Sequence, residues 1–281
     1  MPLSVVCAVS HMDEVTLPLC IDALSRQTAS PLRPFVVEGL VPMCASFNRA
    51  LDYASDAGAD LLFHTASDVI AEPWALQSLL DALDVEKHYL SVGTGHDILN
   101  GPMTRCGLWV FNMRVLERNF RFRDVFKQDL DFCSRVEEAT GFLRVYPKVD
   151  RPMGYHEAIV TPIQLYTRLL YSSHKYRPEK RETYRRLLAE ELAWNPRDKT
   201  LVAGLRGLDR AESSPPPNGS KNRAQLEDLF RRDTANLHLT GKECYAFQLR
   251  FKELARSVLG LDCTSVTQEE RAGGAESSAC P

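Results

Sequence analysis

None of the eight cysteines stands in a Cys-x-x-Cys pair, and no zinc-ligand spacing occurs. Cys7, Cys20, Cys44, Cys106, Cys133, Cys244, Cys263 and Cys280 are scattered, mostly in apolar contexts. They read as small core residues of a chain kept reduced, and a disulfide framework is not expected. Charge of one sign is also lacking: 34 Lys and Arg stand against 37 Asp and Glu, a net charge of -3. That removes any overall attraction for a phosphate backbone and argues against nucleic acid as a partner. No uninterrupted apolar run reaches the roughly 18 residues a spanning helix needs. The N-terminus lacks a basic region, a long apolar run and a small-residue cleavage site, so no signal peptide is expected. Internal repeats are missing. What remains is an ordinary globular composition, 44% apolar and 25% charged, over 281 residues. That length allows one large α/β domain with an extension, or two modest domains.

Short apolar, β-branched runs alternate with helical periodicity through the first part of the chain. Strands are expected at residues 3–9, 35–37, 59–64 and 89–92. Between them lie helices at 15–26, 45–57 and 74–83. The second presents Phe47, Ala50, Leu51 and Ala54 on one face and ends before Gly58; Pro73 opens the third. This alternation implies parallel pairing with helices on both faces. Further on, a strand is expected at 107–112, a short helix from Arg114, a helix at 129–140 capped by Gly141, and a strand at 143–146. Residues 161–192 read as mostly helical with a break near Pro178, and residues 225–259 as helical again. Ser, Pro, Asn and Gly crowd residues 213–222, which marks a flexible linker, and the composition from Thr267 on is that of a disordered tail.

In an open, mostly parallel sheet, ligands bind beyond the carboxyl ends of the strands. Polar and small residues recur at these places: Ser10 and His11, Glu38 and Gly39, residues 65–68, and residues 93–97. Several of these segments resemble the motifs of family 2 glycosyltransferases. Ser4, Val5 and Val6 lead into a helix ending Leu24, Ser25, Arg26, Gln27, Thr28. Asn48, Arg49, Ala50 and Leu51 are similar to the family's Asn-x-Ala-Leu helix. Ala66, Ser67 and Asp68, followed by Glu72 and Pro73, have the layout of its Asp-x-Asp segment. Residues 107–116, with Arg114, resemble the strand and helix of its acceptor side. Gln128 and Asp129, leading into Leu130 and Asp131, resemble the Glu-Asp helix that carries the base. The likeness covers roughly residues 3–160. Three positions depart from the pattern: Ala66 replaces the first Asp, Gln128 replaces the Glu, and Glu38 stands where Asp is more usual.

The resemblance implies a GT-A fold, Rossmann-like, with a mostly parallel sheet and flanking helices, plus a mostly helical C-terminal extension. It implies transfer of a hexosyl or related sugar from a nucleoside-diphosphate sugar to an acceptor hydroxyl, with inversion and a divalent cation, Mn²⁺ or Mg²⁺. Asp68 would hold the cation, with His156 as a further ligand; alternatively Asp68 is a turn residue before a helix and His156 an ordinary loop histidine. Asp129 would be the general base, since a displacement with inversion needs one carboxylate at the acceptor hydroxyl. Its other reading is a helix N-terminal Asp favoured by the dipole. Ala8, Ser10, Glu38, Asn48 and Ser67 join Asp68 on the nucleotide-sugar side, although Asn48 reads equally as a helix-packing residue. Asp97, Trp109 and Asp131 belong to the acceptor side; a strand Trp is also a common core residue, and Asp131 is placed to pair with Arg135 one turn on. His11 and His64 carry weaker claims of the same kind.

The expected divisions are a glycosyltransferase domain at 1–160, a helical extension at 161–212, the linker at 213–222, a helical segment at 223–266 and the tail at 267–281. The donor is the first partner, and the acceptor is a saccharide, a lipid-linked sugar or a protein. A cytoplasmic location is expected, with peripheral contact at the inner face of the membrane for a membrane-bound acceptor. Lys175, Arg177, Lys180, Arg181, Arg185 and Arg186, interleaved with Tyr171, Tyr176 and Tyr184, form either a solvated helix face or a patch for anionic headgroups. Two rival functions stand beside the main one. Ala66 and Gln128 would fit a catalytically degenerate module that only binds nucleotide-sugar or a partner protein. A nucleotidyltransferase would need a Gly-rich, basic phosphate loop after the first strand, which is missing.

Overall fold

The computed structural model describes residues 3–40, 42–116, 119–175, 178–215, 223–246 and 248–264. The chain divides into two compact units, the first running through Glu157 and the second beginning at Ala158. The linker expected at 213–222 lies largely outside the described residues, as does the tail at 267–281.

The first unit is built on a mixed sheet. Strand β1 (Val5–His11) is followed by helix α1 (Leu17–Ser25), β2 (Phe35–Glu38), α2 (Met43–Asp56), β3 (Leu61–Ala66) and the short β4 (Val69–Ala71). Then come α3 (Ala75–Ala82), β5 (His88–Asp97), β6 (Gly101–Asn112), α4 (Met113–Leu116), α5 (Gln128–Thr140), β7 (Leu143–Val145) and β8 (Gly154–His156). The strand order is β2-β1-β3-β6-β5-β8-β4, with β7 pairing β5 off this path. The α/β class with a mostly parallel sheet and flanking helices is the one expected.

Alternation along the strands explains why helices cover both faces. Ala8, Leu62 and Phe111 point into one core, with Phe47, Ala50, Leu51 and Ala54 of α2 and Phe132 and Val136 of α5. Their neighbours Cys7, Val9, Leu61, Phe63, Leu108 and Val110 point into the other, against Leu24 of α1 and Leu76 and Leu79 of α3. Gly141 closes α5 as expected, in the left-handed conformation at φ 73°.

The pairing differs from expectation at one place. Strands β1, β2 and β3 pair in parallel, but the antiparallel β6 is inserted between β3 and β5. Strands β5 and β6 run 10 and 12 residues, longer than their apolar stretches indicated, and meet in the short turn at residues 98–100. So short a connection admits only a hairpin, whereas helical crossovers return the earlier strands in parallel. Strand β5 still runs in the direction of β3, two places away.

The second unit starts with β9 (Ile159–Val160) and continues with α6 (Pro162–Lys175), α7 (Pro178–Trp194), α8 (Lys199–Ser213) and α9 (Arg223–Thr234). Asp198 caps α8, its carboxylate accepting from the Leu201 N–H at 2.8 Å. After α9 come β10 (Glu243–Ala246), α10 (Leu249–Ser257) and β11 (Asp262–Thr264). The helical reading of 225–259 therefore fails over its middle. The run Cys244, Tyr245, Ala246 forms a buried central strand, pairing β9 on one side and β11 on the other. A three-residue apolar run flanked by Thr240, Gly241 and Gln248 carries too little periodicity to separate strand from helix.

Candidate metal and nucleotide site

The site is built where β3 ends and β8 inserts between β5 and β4. Strand β3 stops at Ala66, Ser67 and Asp68 make a turn, and β4 turns back to pair with β8, Val69 opposite His156. On its other side β8 pairs with β5 in parallel, with Asp97 the register partner of His156. Register partners project to the same face of a sheet, so Asp97 and His156 meet side by side. The Glu157 N–H donates to the Asp68 carbonyl at 2.8 Å and ties the end of β8 to the turn. Gly154 makes this close approach feasible. A Cβ there would stand 2.9 Å from the Ile70 carbonyl oxygen.

Three carboxylates surround one imidazole. His156 Nδ1 lies 2.7 Å from Asp97 Oδ2, and its Nε2 lies 3.4 Å from Asp68 Oδ2. One ligand atom each from Asp68, His156 and Glu157 fall within 4.8 Å of one another. The Asp68 and His156 side chains are 19% and 14% exposed, and Glu157 is 7% exposed. Glu157 also adopts φ 55°, the left-handed region that non-glycine residues avoid. Such backbone costs of order 1–3 kcal/mol and clusters at functional sites. Burial works against a charged His156, but Asp68 and Glu157, with hydrogen bonds to Asp68 and Asp97, outweigh it and raise its pKa to about 10. The same negative environment suits a cation, and two carboxylates with one imidazole are a donor set that Mn²⁺ or Mg²⁺ accepts.

Ser10, Glu38 and Ser67 gather at the carboxyl ends of the three parallel strands, with His11 in register with Glu38 and Ser10 with Ala66. Glu38 is exposed. Ser67 is fully buried; its hydroxyl donates to Glu14 Oε2 at 2.6 Å and lies 3.0 Å from His11 Nδ1. Ala8 lies deeper, wholly inside the core. Ser10 is buried between the Ser46 hydroxyl at 2.8 Å and His64 Nε2 at 2.9 Å. His64 itself sits among Phe47, Trp109 and Phe111. Burial pushes its pKa down to about 3, so it is a neutral core histidine.

Other residues singled out in the sequence are engaged in packing. Both ends of the Asn48 amide are taken by the Phe122 backbone, at 2.9 and 2.8 Å, which pins the segment before α5 to α2. Trp109 stacks parallel to Phe122 and packs against the core. Asp131 pairs with Arg135 at 2.9 Å, as its spacing implied. Asp129 occupies the first turn of α5, and Gln128 beside it is buried. The structure thus brings Asp68, Asp97 and His156 together. It leaves Asp129 on a different element and places Trp109 and Asn48 in packing contacts.

Sequence reasoning missed Glu157 and Glu14. Glu157 follows His156 directly, but strands β4 and β8 are 3 residues each, too short to leave a periodic signal. Without β8 there was no reason to aim a loop glutamate at Asp68.

Among the described residues no helix is long and apolar enough to cross a membrane. No protein-family model matches the chain, and no curated protein matches it. Solved structures similar to it include S. aureus TarS 1–349 in complex with UDP, at 13% identity over 84% of this chain and 89% of that one, TM-score 0.41. Another is a cytidylyltransferase from Leptospira borgpetersenii serovar Hardjo-bovis, at 13% identity over 69% and 96%, TM-score 0.40. The glycosyltransferase GlyE of Streptococcus pneumoniae is similar at 11% identity over 59% and 56%, TM-score 0.34.

Proposed function

We propose that the first unit is a family 2-type glycosyltransferase of GT-A fold, which moves a sugar from a nucleoside-diphosphate sugar to an acceptor hydroxyl with inversion. The observation that carries this reading is the cluster of Asp68, His156 and Glu157 at the end of β3. That is where the sequence resemblance puts an acidic diphosphate-binding motif. Ala66 replaces one acid of the motif, and Glu157 brings a carboxylate to the same place from β8.

Asp68, Glu157 and His156 would hold the divalent cation, which supplies positive charge for the oxygens of the leaving diphosphate. Exposed Glu38, at the end of β2, lies on the nucleotide side, while the buried Ser10 and Ser67 hold the neighbouring strand ends through Ser46, His64, His11 and Glu14. Asp129, in the first turn of α5, accepts the proton of the acceptor hydroxyl as the new bond forms at the sugar carbon and the bond to the diphosphate breaks. A direct displacement with one base inverts the configuration and requires no covalent intermediate.

Ala66 and Gln128 favour the second reading, a module that binds the donor without turning it over. A thermal-shift screen of nucleotide-sugars with Mn²⁺, followed by assay of nucleoside diphosphate release, separates the two. A donor at about 100 times its Kd should stabilise the protein by about 2.7 kcal/mol. Stabilisation with release supports the transferase, and stabilisation without release under any acceptor tried supports the binding module. No stabilisation by any nucleotide-sugar removes both.

A further inference from the structure

The resemblance set Asp97 on the acceptor side. Its surroundings point elsewhere. Asp97 is 1% exposed. Its Oδ1 accepts from the Leu99 N–H at 3.0 Å, the Asn100 N–H at 2.9 Å and the Asn100 side-chain amide at 2.9 Å. Its Oδ2 meets His156 Nδ1 at 2.7 Å. Three donors crowd Oδ1, and Oδ2 is turned to His156. A side chain so completely buried gives an acceptor hydroxyl no access.

We propose that Asp97 is a positioning residue for the cation site and acts through His156. This rests on the cation reading above. An ionised carboxylate only accepts hydrogen bonds, so Asp97 fixes the proton of the imidazole on Nδ1. A cation that displaces the other ring proton then meets the lone pair on Nε2, the atom that faces Asp68. Three donors from the turn at residues 98–100 hold the carboxylate, and the β5–β8 register holds the two backbones. The imidazole cannot swing away without breaking the bond to a buried charge. Partners of this kind behind a ligating histidine are worth about 10- to 100-fold in metal affinity.

The sequence explains how so costly a group is tolerated. Burying a carboxylate is unfavourable unless its hydrogen bonds are complete. Asp97, Ile98, Leu99 and Asn100 fold into a turn whose own N–H groups point back at the Asp97 side chain. The device is local to four residues and exists before any ligand arrives. Only its target, His156, comes from 59 residues away.

The test is Mn²⁺ binding to the full chain, followed by electron paramagnetic resonance of the free ion, with no donor present. Asp97→Asn keeps the size of the side chain and should weaken Mn²⁺ binding about 10- to 100-fold. His156→Asn should weaken it at least as much. The double variant should be no weaker than His156→Asn alone, because Asp97 has nothing left to orient. Unchanged affinity in Asp97→Asn, or additive losses in the double variant, would overturn the proposal. Asn100→Ala withdraws one hydrogen bond from Asp97. It should lower Mn²⁺ affinity by a smaller factor, and unchanged affinity there overturns the proposal even if Asp97→Asn fails to fold. Failure of the wild-type chain to bind Mn²⁺ would remove the cation reading and this proposal together.

Discussion

Each unit draws polar side chains around buried or half-buried acids, and the two clusters differ in composition. In the second unit Asp233 receives both the Nε of Arg210, at 2.7 Å, and its NH2 group, and accepts the Tyr166 hydroxyl at 2.5 Å. The guanidinium of Arg210, then the Tyr166 hydroxyl, holds the Asp233 pKa below the usual carboxylate range despite some burial. The charge there is matched, and the cluster joins α6, α8 and α9 around Tyr166, Leu170, Ala211 and Leu226. In the first unit Asp68, Asp97 and Glu157 share one imidazole. There the acids outnumber the one imidazole drawn among them, a donor set compatible with a divalent cation.

Two histidines of the first unit teach the same lesson. His64 and His156 both lie near strand ends and both are largely removed from water. Burial without a neighbouring charge to offset it pushes one pKa down to about 3, and carboxylates push the other up to about 10 against burial. Burial alone therefore does not mark a site; the sign of the neighbouring charges does.

The largest effect expected is on turnover. Asp129→Asn should lower sugar transfer by roughly 10²- to 10⁴-fold, while donor affinity changes little. Folding should survive, since one charge at a helix N-terminus is worth about 0.3–1 kcal/mol. Near-normal transfer on the true acceptor would return Asp129 to a purely structural role. Loss of donor binding as well would place it in the nucleotide pocket instead.

The two clusters can then be set directly against each other. Asp233→Asn should destabilise the chain by about 1.5–3 kcal/mol, the worth of a hydrogen bond between charged groups, with Mn²⁺ binding intact. Asp68→Asn should act chiefly on binding: Mn²⁺ and diphosphate binding, read by calorimetry, should be lost, while the urea midpoint falls only where His156 is protonated and loses its neighbouring carboxylate. A destabilised Asp68→Asn chain that still binds Mn²⁺ would erase the distinction drawn here.

The last effect concerns pH. His64 refuses a proton down to about pH 3, whereas an ordinary histidine accepts one at 6.5. The unfolded chain therefore binds a proton that the folded chain does not, and stability falls as pH drops from 6.5 toward 3. His64→Phe should flatten this decline, seen as a smaller difference between urea midpoints at acid and neutral pH. An equal decline in both chains would mean that His64 is not held neutral.

Much of the first unit was legible because its signals are local. Phe47, Ala50, Leu51 and Ala54 recur at helical spacing and all are buried on one face of α2. Asp131 found Arg135 because four residues make one helical turn. Ser10, Glu38 and Asp68 could be placed at strand ends because apolar runs show where strands stop. The insertion of β6 between β3 and β5 was not legible, since pairing order follows from hairpin and crossover geometry, not from any one segment. The strand β10 inside a stretch read as helical failed for a related reason: 4 residues carry no period.

The sequence by itself determined the α/β class and the positions of the main helices and strands, which depend on periodicity, capping and polar strand ends, properties of contiguous residues. Asp68 and His156 became candidate ligands through the resemblance to a known family. Only the tertiary structure decided which polar residues face one another. It gave Asn48 to the Phe122 backbone and Trp109 to an aromatic core. It joined Asp68, Asp97, His156 and Glu157 through a three-residue strand, β8, that pairs on both sides. A cation site requires atoms a few ångströms apart, and between residues separated by 59 positions that distance is set by sheet register, which no local pattern encodes.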